Sequence, residues 1–266
     1  MSSKTETVAA QPGGPVIDIL MYHSISDAGG PTSIPAPVFR DQMEAIAEAG
    51  IPVITLGDLE AARAGRRALA PQSVIITFDD GFEDFIRNAW PVLEEKGFAS
   101  ITYLPTGCVG GMENWRGAHE PPRRLLDWAQ VCELDAAGVD FGSHTISHPN
   151  LNGLRTLALV EELRISKQAL EDRLGKEVRH FAPPYGLANH PTRSTIEKLY
   201  ATSVGTKFKR ATLESDIGDL PRLEMFYYTN PWRWHDHLLG RGRRYMRRRQ
   251  ILRQFREAMS KPWERV

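Results

Sequence analysis

The sequence has little cysteine and no long apolar run, and each absence excludes a class of protein. Its 266 residues include only Cys108 and Cys132, with no CxxC pair, so neither a disulfide framework nor a thiolate metal site is expected. Two free thiols, buried or partly buried, are the simpler expectation. No apolar run approaches the roughly 18 residues that a helix needs to span a bilayer.

The amino terminus lacks the features of a secretory signal. Residues 1–15 are polar and contain glycine and proline, and only a strand-length apolar run follows them. A signal peptide needs a basic flank and an apolar core of about 7 to 15 residues. We therefore expect a flexible leader over residues 1–15 and a cytoplasmic location.

Short apolar runs alternate with amphipathic stretches of helical length, which is the pattern of βα units around a parallel sheet. The predicted strands cover residues 16–22, 53–55, 73–78, 99–104, 139–142, 178–182 and 202–205. The predicted helices cover residues 37–49, 83–96, 125–137, 157–174 and 192–199. About seven strands, each followed by a helix or loop, favour a closed or nearly closed barrel over two domains.

Clusters of polar residues follow several of these strands. The stretch VIITFDDGFED places Asp79 and Asp80 directly after a buried, β-branched strand, where an uncompensated charge is costly. Three further stretches, MYHS, FGSHTISHPN and HFAPPYG, also follow predicted strands. Because the carboxyl ends of parallel strands meet at one rim, we expect these side chains to converge on a single mouth.

Within that mouth, His144 and His148 indicate a metal site. In a helical turn, residues four positions apart face the same way, and two imidazoles plus one carboxylate with an open fourth position form a catalytic zinc site. Asp79 and Asp80 supply the carboxylates, and Gly81 tolerates the backbone angles that let both reach one cavity. One aspartate can then ionise as a ligand while the other serves as a base. The pattern predicts metal-assisted hydrolysis of an acyl group.

Each signal has a plainer interpretation when it is taken alone. An isolated DDG sequence is usually a turn, and an isolated HxxxH sequence is more often a pair of surface or capping histidines. Their occurrence together, each after a predicted strand, favours the metal site.

Together, TFDDGF, SHTISH and HFAPPYG resemble the motifs of the polysaccharide deacetylase family, the NodB-like carbohydrate esterases. The resemblance implies a distorted (β/α)7 barrel over residues 16–235. It also implies N-deacetylation of an N-acetylated amino sugar in a polysaccharide or glycoconjugate precursor, around a divalent metal that is usually zinc. The roles implied for the matching positions are a general base, Asp79; metal ligands, Asp80, His144 and His148; a backbone amide for the oxyanion, Tyr185; and the wall of the substrate groove, Pro183 and Pro184.

Two positions depart from the family pattern. Ala182 stands where many members have an arginine that orients the aspartate base, and we hypothesise that Arg222 in LPRLEM approaches Asp79 from another strand instead. The plainer alternative for Arg222 is a salt bridge on the barrel rim. The leucine-x-histidine segment that often supplies the catalytic acid also has a different setting here. We therefore include His23 as a site residue whose role is not assigned.

The segment PWRWHDHLLG offers four further candidates. Trp232 and Trp234 are predicted to present faces on which a sugar ring stacks, although such side chains are more often core or interface anchors. His235 or His237 is an alternative catalytic acid.

Basic and acidic residues balance at 33 each, but residues 241–266 carry ten basic and two acidic residues. A basic amphipathic helix is predicted over residues 236–266, with Tyr245, Leu252, Phe255 and Met259 along one side. Such a helix can bind an anionic membrane surface, bind nucleic acid or pack on the acidic barrel. Of the functional interpretations we favour binding to a membrane surface over binding to nucleic acid. Membrane binding would place the protein peripherally on the inner face of the membrane.

Two rival functions stay open. In the first, the scissile group is formyl or the substrate is a small or lipid-linked amide, because a metal centre is indifferent to what flanks the acyl group. In the second, the barrel binds glycan without cleaving it. Asp79 argues against the second, since a pure binder has no use for a carboxylate beyond the metal ligands.

Overall fold

Seven parallel strands close into a ring in this structure, a computed structural model that describes residues 14–259. The strands are β1 (Val16–Tyr22), β2 (Gln72–Phe78), β3 (Ser100–Leu104), β4 (Asp140–Ser143), β5 (His180–Phe181), β6 (Thr202–Phe208), β7 (Ala211–Thr212) and β8 (Leu220–Glu224). The ring runs from β1 through β6 in chain order and then to β8, which pairs back with β1. The two-residue strand β7 adds to β1 in the antiparallel sense. The expected distorted (β/α)7 barrel is therefore confirmed.

One predicted strand is wrong. Residues 53–55 do not enter the ring, because Val53 makes only an isolated bridge to Val74. The seventh strand of the ring is β8 instead, which the sequence analysis recognised only as a short strand around Arg222. β1 has the predicted bounds, and β2 and β3 differ from theirs by one residue at one end.

Eight α-helices pack against the ring in the described part of the chain. They are α1 (Ala36–Glu48), α2 (Leu56–Arg63), α3 (Trp90–Lys96), α4 (Trp128–Ala136), α5 (Thr156–Leu174), α6 (His190–Ile196), α7 (Pro231–Leu238) and α8 (Arg243–Met259). A π-helical segment, Phe85–Ala89, leads into α3, so the helix predicted over residues 83–96 has two parts. The short helix α2, which was not predicted, begins with a capping box in which Thr55 and Asp58 bond each other's backbone amides.

Alternation along the strands decides which side chains point into the barrel. Ile17, Ile19 and Ile75 pack inside together with Leu56 and Leu59 of α2, while the intervening residues of β1 and β2 pack outward beneath the other helices. Because side chains alternate along a strand, the inward set on β2 continues to residues 77 and 79. This apolar layer lies below the upper end of the barrel, where the polar residues follow the strands.

A buried carboxylate fastens α7 to the barrel wall. Asp18 on β1 is fully buried and accepts two hydrogen bonds of 2.8 Å from the Arg210 guanidinium. Its Oδ1 also lies 3.1 Å from Nε2 of His237 on α7. Burial by itself raises the pKa of Asp18, but the nearby His237 and Arg210 outweigh it and hold the pKa below its usual value.

The basic segment is organised differently from the prediction. The expected boundary between residues 235 and 236 falls inside α7, and a separate helix, α8, follows it. The side chain of Tyr245 packs on the barrel, where its hydroxyl donates to the backbone oxygen of Tyr227 at 2.6 Å. Leu252 and Phe255 are exposed instead, so the four apolar residues do not share one environment, and the Met259 side chain lies outside the described part.

Two smaller predictions are settled or limited by the structure. Cys108 is a buried free thiol, but Cys132 is exposed, so the expectation that both are at least partly buried is wrong for Cys132. Residues 1–13 of the predicted leader lie outside the described residues. Within residues 14–259, no helix combines the length and apolar character that crossing a membrane requires.

Candidate active site

A cavity of about 490 Å³ opens at the carboxyl end of the barrel strands. Its walls come from the ends of the strands, from the loops after them and from α8. The lining residues are Met21, His23, Pro31, Thr32, Asp79, Asp80, Trp115, Arg116, Gly117, His144, His148, Tyr185, Gly186, Thr206, Glu224, Phe226, Tyr227 and Arg253. The polar stretches therefore converge at one mouth, as the strand pattern indicates.

The backbone after β2 turns both aspartates toward this cavity. Asp80 has φ 72° and Gly81 has φ 68°, so two successive residues adopt left-handed conformations. A Cβ atom on Gly81 would lie only 2.3 Å from Cδ2 of Leu104, so the position needs glycine for space as well as for conformation. The turn allows Asp79 to continue the inward direction of β2 while Asp80 points to the histidines.

Asp80, His144 and His148 bring three possible ligand atoms to one point. Oδ1 of Asp80 lies 3.3 Å from Nε2 of His144 and 3.2 Å from Nε2 of His148. All three side chains are buried, and their ligand atoms lie within 4.8 Å of one another. Such a donor set leaves room for a fourth ligand, which is the open arrangement of catalytic zinc sites.

The hydrogen bonds around the three residues fit a metal. Nδ1 of His144 lies 2.6 Å from the backbone oxygen of Ala182, which fixes the tautomer that leaves Nε2 with a free lone pair. Among the described residues, Oδ1 of Asp80 and Nδ1 of His148 are buried without a hydrogen-bond partner. Burial by itself raises the pKa of Asp80, but the two imidazoles outweigh it and hold the pKa well below its usual range. The carboxylate is thus kept ionised, as a ligand must be.

The two histidines are not held by a helical turn, which corrects the geometry expected from their spacing. Thr145 has φ 74° and His148 has φ 57°, and residues 144–150, which hold both histidines, form an irregular loop. Pro149 disfavours a helical conformation at the residue before it. Glu162 on α5 supports the loop by accepting the backbone amide of Ile146 at 2.7 Å.

Asp79 is paired with a buried guanidinium from β8, which lies on the other side of β1 in the ring. Arg222 on β8 donates two hydrogen bonds of 2.7 Å, one to each carboxylate oxygen of Asp79. It also donates to Thr77 Oγ1 at 3.0 Å and to the Gly205 backbone oxygen at 2.9 Å. Arg222 is only 1% exposed, so it is not a salt bridge on the rim. Burial raises the pKa of Asp79, but the Arg222 charge outweighs it and lowers the pKa.

Comparison with known proteins decides the family. The family model described as polysaccharide deacetylase matches residues 66–204, just over half of the chain. The chain belongs to the polysaccharide deacetylase family.

Individual relatives agree with this assignment. YxkH of Bacillus subtilis (strain 168), which is named for the same family, is 27% identical over 223 residues, covering 84% of this chain and 74% of YxkH. A poly-beta-1,6-N-acetyl-D-glucosamine N-deacetylase of Staphylococcus aureus (strain MRSA252) is 28% identical over 136 residues, or 48% of this chain, and the match spans only 45% of that relative. The deacetylase PplD of Streptococcus pyogenes shares the fold, with a TM-score of 0.69 at 24% identity over 79% of this chain and 92% of that chain.

Two further predicted site residues line the cavity. Nε2 of His23 lies 3.9 Å from Oδ2 of Asp79. Tyr185 has φ 60°, and its ring contacts His148 edge-on with centroids 4.7 Å apart. The Tyr185 hydroxyl donates to the backbone oxygen of Arg116 at 3.2 Å, which ties the ring to the loop on the other side.

Four predicted substrate-binding residues do not line the catalytic cavity. Pro183 and Pro184 are buried beneath it, so they support the wall without forming its surface. Trp234 is 1% exposed and belongs to the core, where its indole donates to the Gln42 backbone oxygen at 3.0 Å. Trp232 is exposed but lines a different groove. The stacking prediction for this cavity is wrong because helix α7 turns both rings away from it.

The two alternative acids are also elsewhere. His237 is buried between Asp18 and Tyr228, whose hydroxyl lies 3.1 Å from His237 Nδ1. His235 lines the groove beside Trp232. Neither histidine reaches the catalytic cavity, so His23 is the remaining histidine of the three candidates.

Three charged residues of the cavity, Arg116, Glu224 and Arg253, were missed by the sequence analysis. Trp115 stacks on His148 with ring centroids 4.3 Å apart, and Arg116 follows it in the same loop. Glu224 pairs in register with Met21 at the upper end of β1 and β8. Arg253 comes from α8 and donates to the Thr206 backbone oxygen at 2.9 Å. Of these residues only Glu224 could have been predicted, because Leu220, Arg222 and Glu224 alternate along β8 and therefore point to the same side.

Proposed function

We propose that this deacetylase hydrolyses the acetamide of an N-acetylated amino sugar in a polysaccharide or glycoconjugate precursor, with a divalent metal, most simply Zn²⁺, as its cofactor. The observation that carries the proposal is a buried group of three possible ligands, Asp80, His144 and His148, with the separate carboxylate of Asp79 beside it. The poly-beta-1,6-N-acetyl-D-glucosamine deacetylases among the relatives support an N-acetylated glycan as substrate.

Each residue has a chemical task in this reaction. A divalent cation at the ligand set would act as a Lewis acid and lower the pKa of water from about 15.7 toward about 7. Asp79 accepts the proton of the attacking water, and the bidentate pair with Arg222 fixes the orientation of the accepting oxygens. The backbone amide of Tyr185 is proposed to stabilise the oxyanion. His23 borders the same cavity, where it can bind the substrate or protonate the leaving amine.

A substrate panel tests this function and separates it from its rivals. N-acetylated and N-formylated amino sugars, their oligomers and small N-acyl amides are each incubated with the metal-loaded protein, and the free amine is quantified. We expect amine release from N-acetylated saccharides. Preference for formyl groups or for small amides would favour the alternative amidase. Saccharide binding without amine release from any substrate would indicate a glycan-binding barrel.

We also propose that α8 attaches this deacetylase to an anionic membrane surface on the cytoplasmic side. Leu252 and Phe255 are 49% and 63% exposed on a helix that carries exposed Arg244, Arg247 and Arg248. Exposed apolar side chains among arginines are typical of a helix that lies in a lipid interface. The opposite side of α8 packs on the barrel and reaches the cavity, so attachment would bring a lipid-linked saccharide close to the metal ligands.

Vesicle flotation tests the attachment without disturbing the cavity. Removing α8 altogether is unsuitable, because it would also remove the contacts of Tyr245 and Arg253 with the barrel. The double variant Leu252→Ser, Phe255→Ser changes only exposed side chains, and Leu157→Ser on α5, at 80% exposure, is a matched control. We expect the double variant alone to lose binding to anionic vesicles. Equal flotation of all three proteins, or binding of oligonucleotides instead of vesicles, would contradict the proposal.

A further inference from the structure

A second groove lies on the side of the barrel, between α1 and α7, and the proposed chemistry uses none of its residues. Its volume is about 290 Å³. One wall is formed by α1, the other by the beginning of α7, and the 3₁₀ turn Met225–Tyr228 and Thr229 close its end.

The floor of this groove is fixed by buried hydrogen bonds. The Trp234 indole donates to the backbone oxygen of Gln42 at 3.0 Å, and the Gln42 amide donates to the backbone oxygen of Tyr228 at 3.0 Å. The Tyr22 hydroxyl donates to Oε1 of Gln42 at 2.8 Å. These bonds tie α1, α7 and the 3₁₀ turn to β1, so the groove has a defined shape before any ligand binds.

One wall of the groove carries an aromatic side chain that is exposed to solvent. Trp232 is 81% exposed, the largest exposed fraction among the exposed large apolar side chains of the described residues. A tryptophan side chain usually buries most of its surface, and tryptophan is enriched where proteins bind their partners. His235 lies one turn further along α7 and lines the same groove.

The other wall carries negative charge. Asp41, Glu44 and Glu48 lie on α1 at intervals that place them along one side of the helix, and all three line the groove. Arg40 reaches Glu44 at 4.0 Å but makes its closer ion pair, 3.0 Å, with Glu95 on α3. A ligand for this groove therefore needs a flat face for the indole and a positive charge for the carboxylates.

A sugar with a free amine has both features. The C–H face of a pyranose packs against an aromatic plane, and an ammonium group is attracted both to an indole face and to carboxylates. The acetamide of the unreacted sugar is uncharged and lacks the second attraction. We propose that the groove around Trp232 is a binding site for amino sugars whose amine is free, that is, for the deacetylated part of the saccharide. This inference rests on the proposed function.

The position of the groove fits a chain that extends from the catalytic cavity. Phe226 and Tyr227 line the cavity, while the next residue, Tyr228, lines the groove. A single 3₁₀ turn thus separates the two sites. A saccharide long enough to cross that turn would keep its deacetylated residues in the groove while an acetylated residue occupies the cavity, so the inference assigns an oligomeric or polymeric substrate.

Calorimetric titration with two probes tests the groove. Glucosamine oligomers are titrated into the full chain, and N-acetylglucosamine oligomers of the same length are titrated into the chelated protein, where turnover does not interfere. We expect tighter binding of the glucosamine oligomers. We expect Trp232→Ala to weaken this binding about tenfold, the size of a lost stacking and cation contact. Asp41→Asn combined with Glu48→Gln removes the preference for the free amine, and Leu157→Ala on α5 leaves binding unchanged.

Two results would overturn the groove assignment. One is equal affinity of wild type, Trp232→Ala and the carboxylate variant for glucosamine oligomers, and the other is equal affinity of wild type for both probes. Failure of the proposed function looks different, since glucosamine oligomers would still bind through Trp232 while no N-acetylated saccharide in the substrate panel released an amine. The titration and the amine assay therefore report on the two proposals separately.

Discussion

Replacing Arg222 by methionine is the most informative perturbation of the site. The substitution keeps an unbranched side chain of similar length but removes the charge and every donor of the guanidinium. It leaves the Asp79 carboxylate, which is 4% exposed, without the two hydrogen bonds of 2.7 Å that balance its burial. Thr77 Oγ1 and the Gly205 backbone oxygen lose their bonds to the guanidinium as well.

The expected cost follows from the kind of interaction that is broken. Removing one partner of a buried ion pair usually costs about 3 to 5 kcal/mol, because the other charge is left uncompensated. For a domain of this size each kcal/mol lowers Tm by about 2 to 4 °C, so Arg222→Met should melt about 6 to 20 °C below wild type. Asp79→Asn in the same background removes the stranded charge and should recover part of that loss.

The pH profile of the metal-loaded enzyme gives the second measurement. Arg222 holds the pKa of Asp79 below its usual value against the opposing effect of burial. Without the guanidinium, burial raises that pKa, so the base is protonated at higher pH and the acidic limb of the activity profile shifts upward. If Arg222→Met kept the wild-type Tm, turnover and pH profile, the positioning role of Arg222 would be abandoned.

Three further results are expected. Chelation should abolish amine release, and added Zn²⁺ should restore it; undiminished turnover by metal-free protein would contradict the cofactor assignment. Asp18→Asn should cost about 3 to 5 kcal/mol at neutral pH because Arg210 and His237 lose their charged partner. Because its pKa is lowered in the folded protein, Asp18 contributes its full share to the free energy of unfolding above its unfolded pKa of about 3.9. This contribution disappears as the pH falls through the folded pKa, so denaturant melts of wild type and variant should converge in acid. Gly81→Ala should lose activity and stability, since its Cβ meets Leu104 at a left-handed position; wild-type melting would refute that clash.

Most of the barrel could be predicted from the sequence, because the periodicities of apolar residues in strands and helices are local signals. β1 was predicted with its observed bounds, since a short β-branched run between turn residues leaves little choice. The strand predicted over residues 53–55 failed because three residues can be extended without pairing along their length. β8 was recognised only around Arg222, because Pro221 and a buried arginine obscure its apolar pattern.

The site was predictable to the extent that its residues follow strands. The carboxyl ends of β2 and β4 lie at the same end of the barrel, and one cavity therefore contains Asp79, Asp80, His144 and His148. The loop conformation of the two histidines was not predictable from their spacing, because Glu162 and Pro149 impose it from outside the pair.

The orientation of helices α7 and α8 could not be predicted from the local pattern of apolar and polar residues. Trp232 and Trp234 lie on α7, and their directions depend on how that helix packs against α1. Arg253 lines the cavity only because α8 folds back over the ends of β6 and β8. Such long-range packing leaves no periodic signal in the sequence, so both the misplaced tryptophans and the missed arginine have the same origin.

Metal content measured together with amine release tests the central assignment most directly. Wild type and Asp79→Asn are purified in parallel, analysed for bound metal and assayed on the same N-acetylated oligosaccharide. We predict about one divalent ion per chain in both proteins and amine release by wild type alone, as expected when Asp80, His144 and His148 hold the ion and Asp79 is the base. Equal activity of the two proteins, or wild-type turnover without any bound metal, would contradict the account.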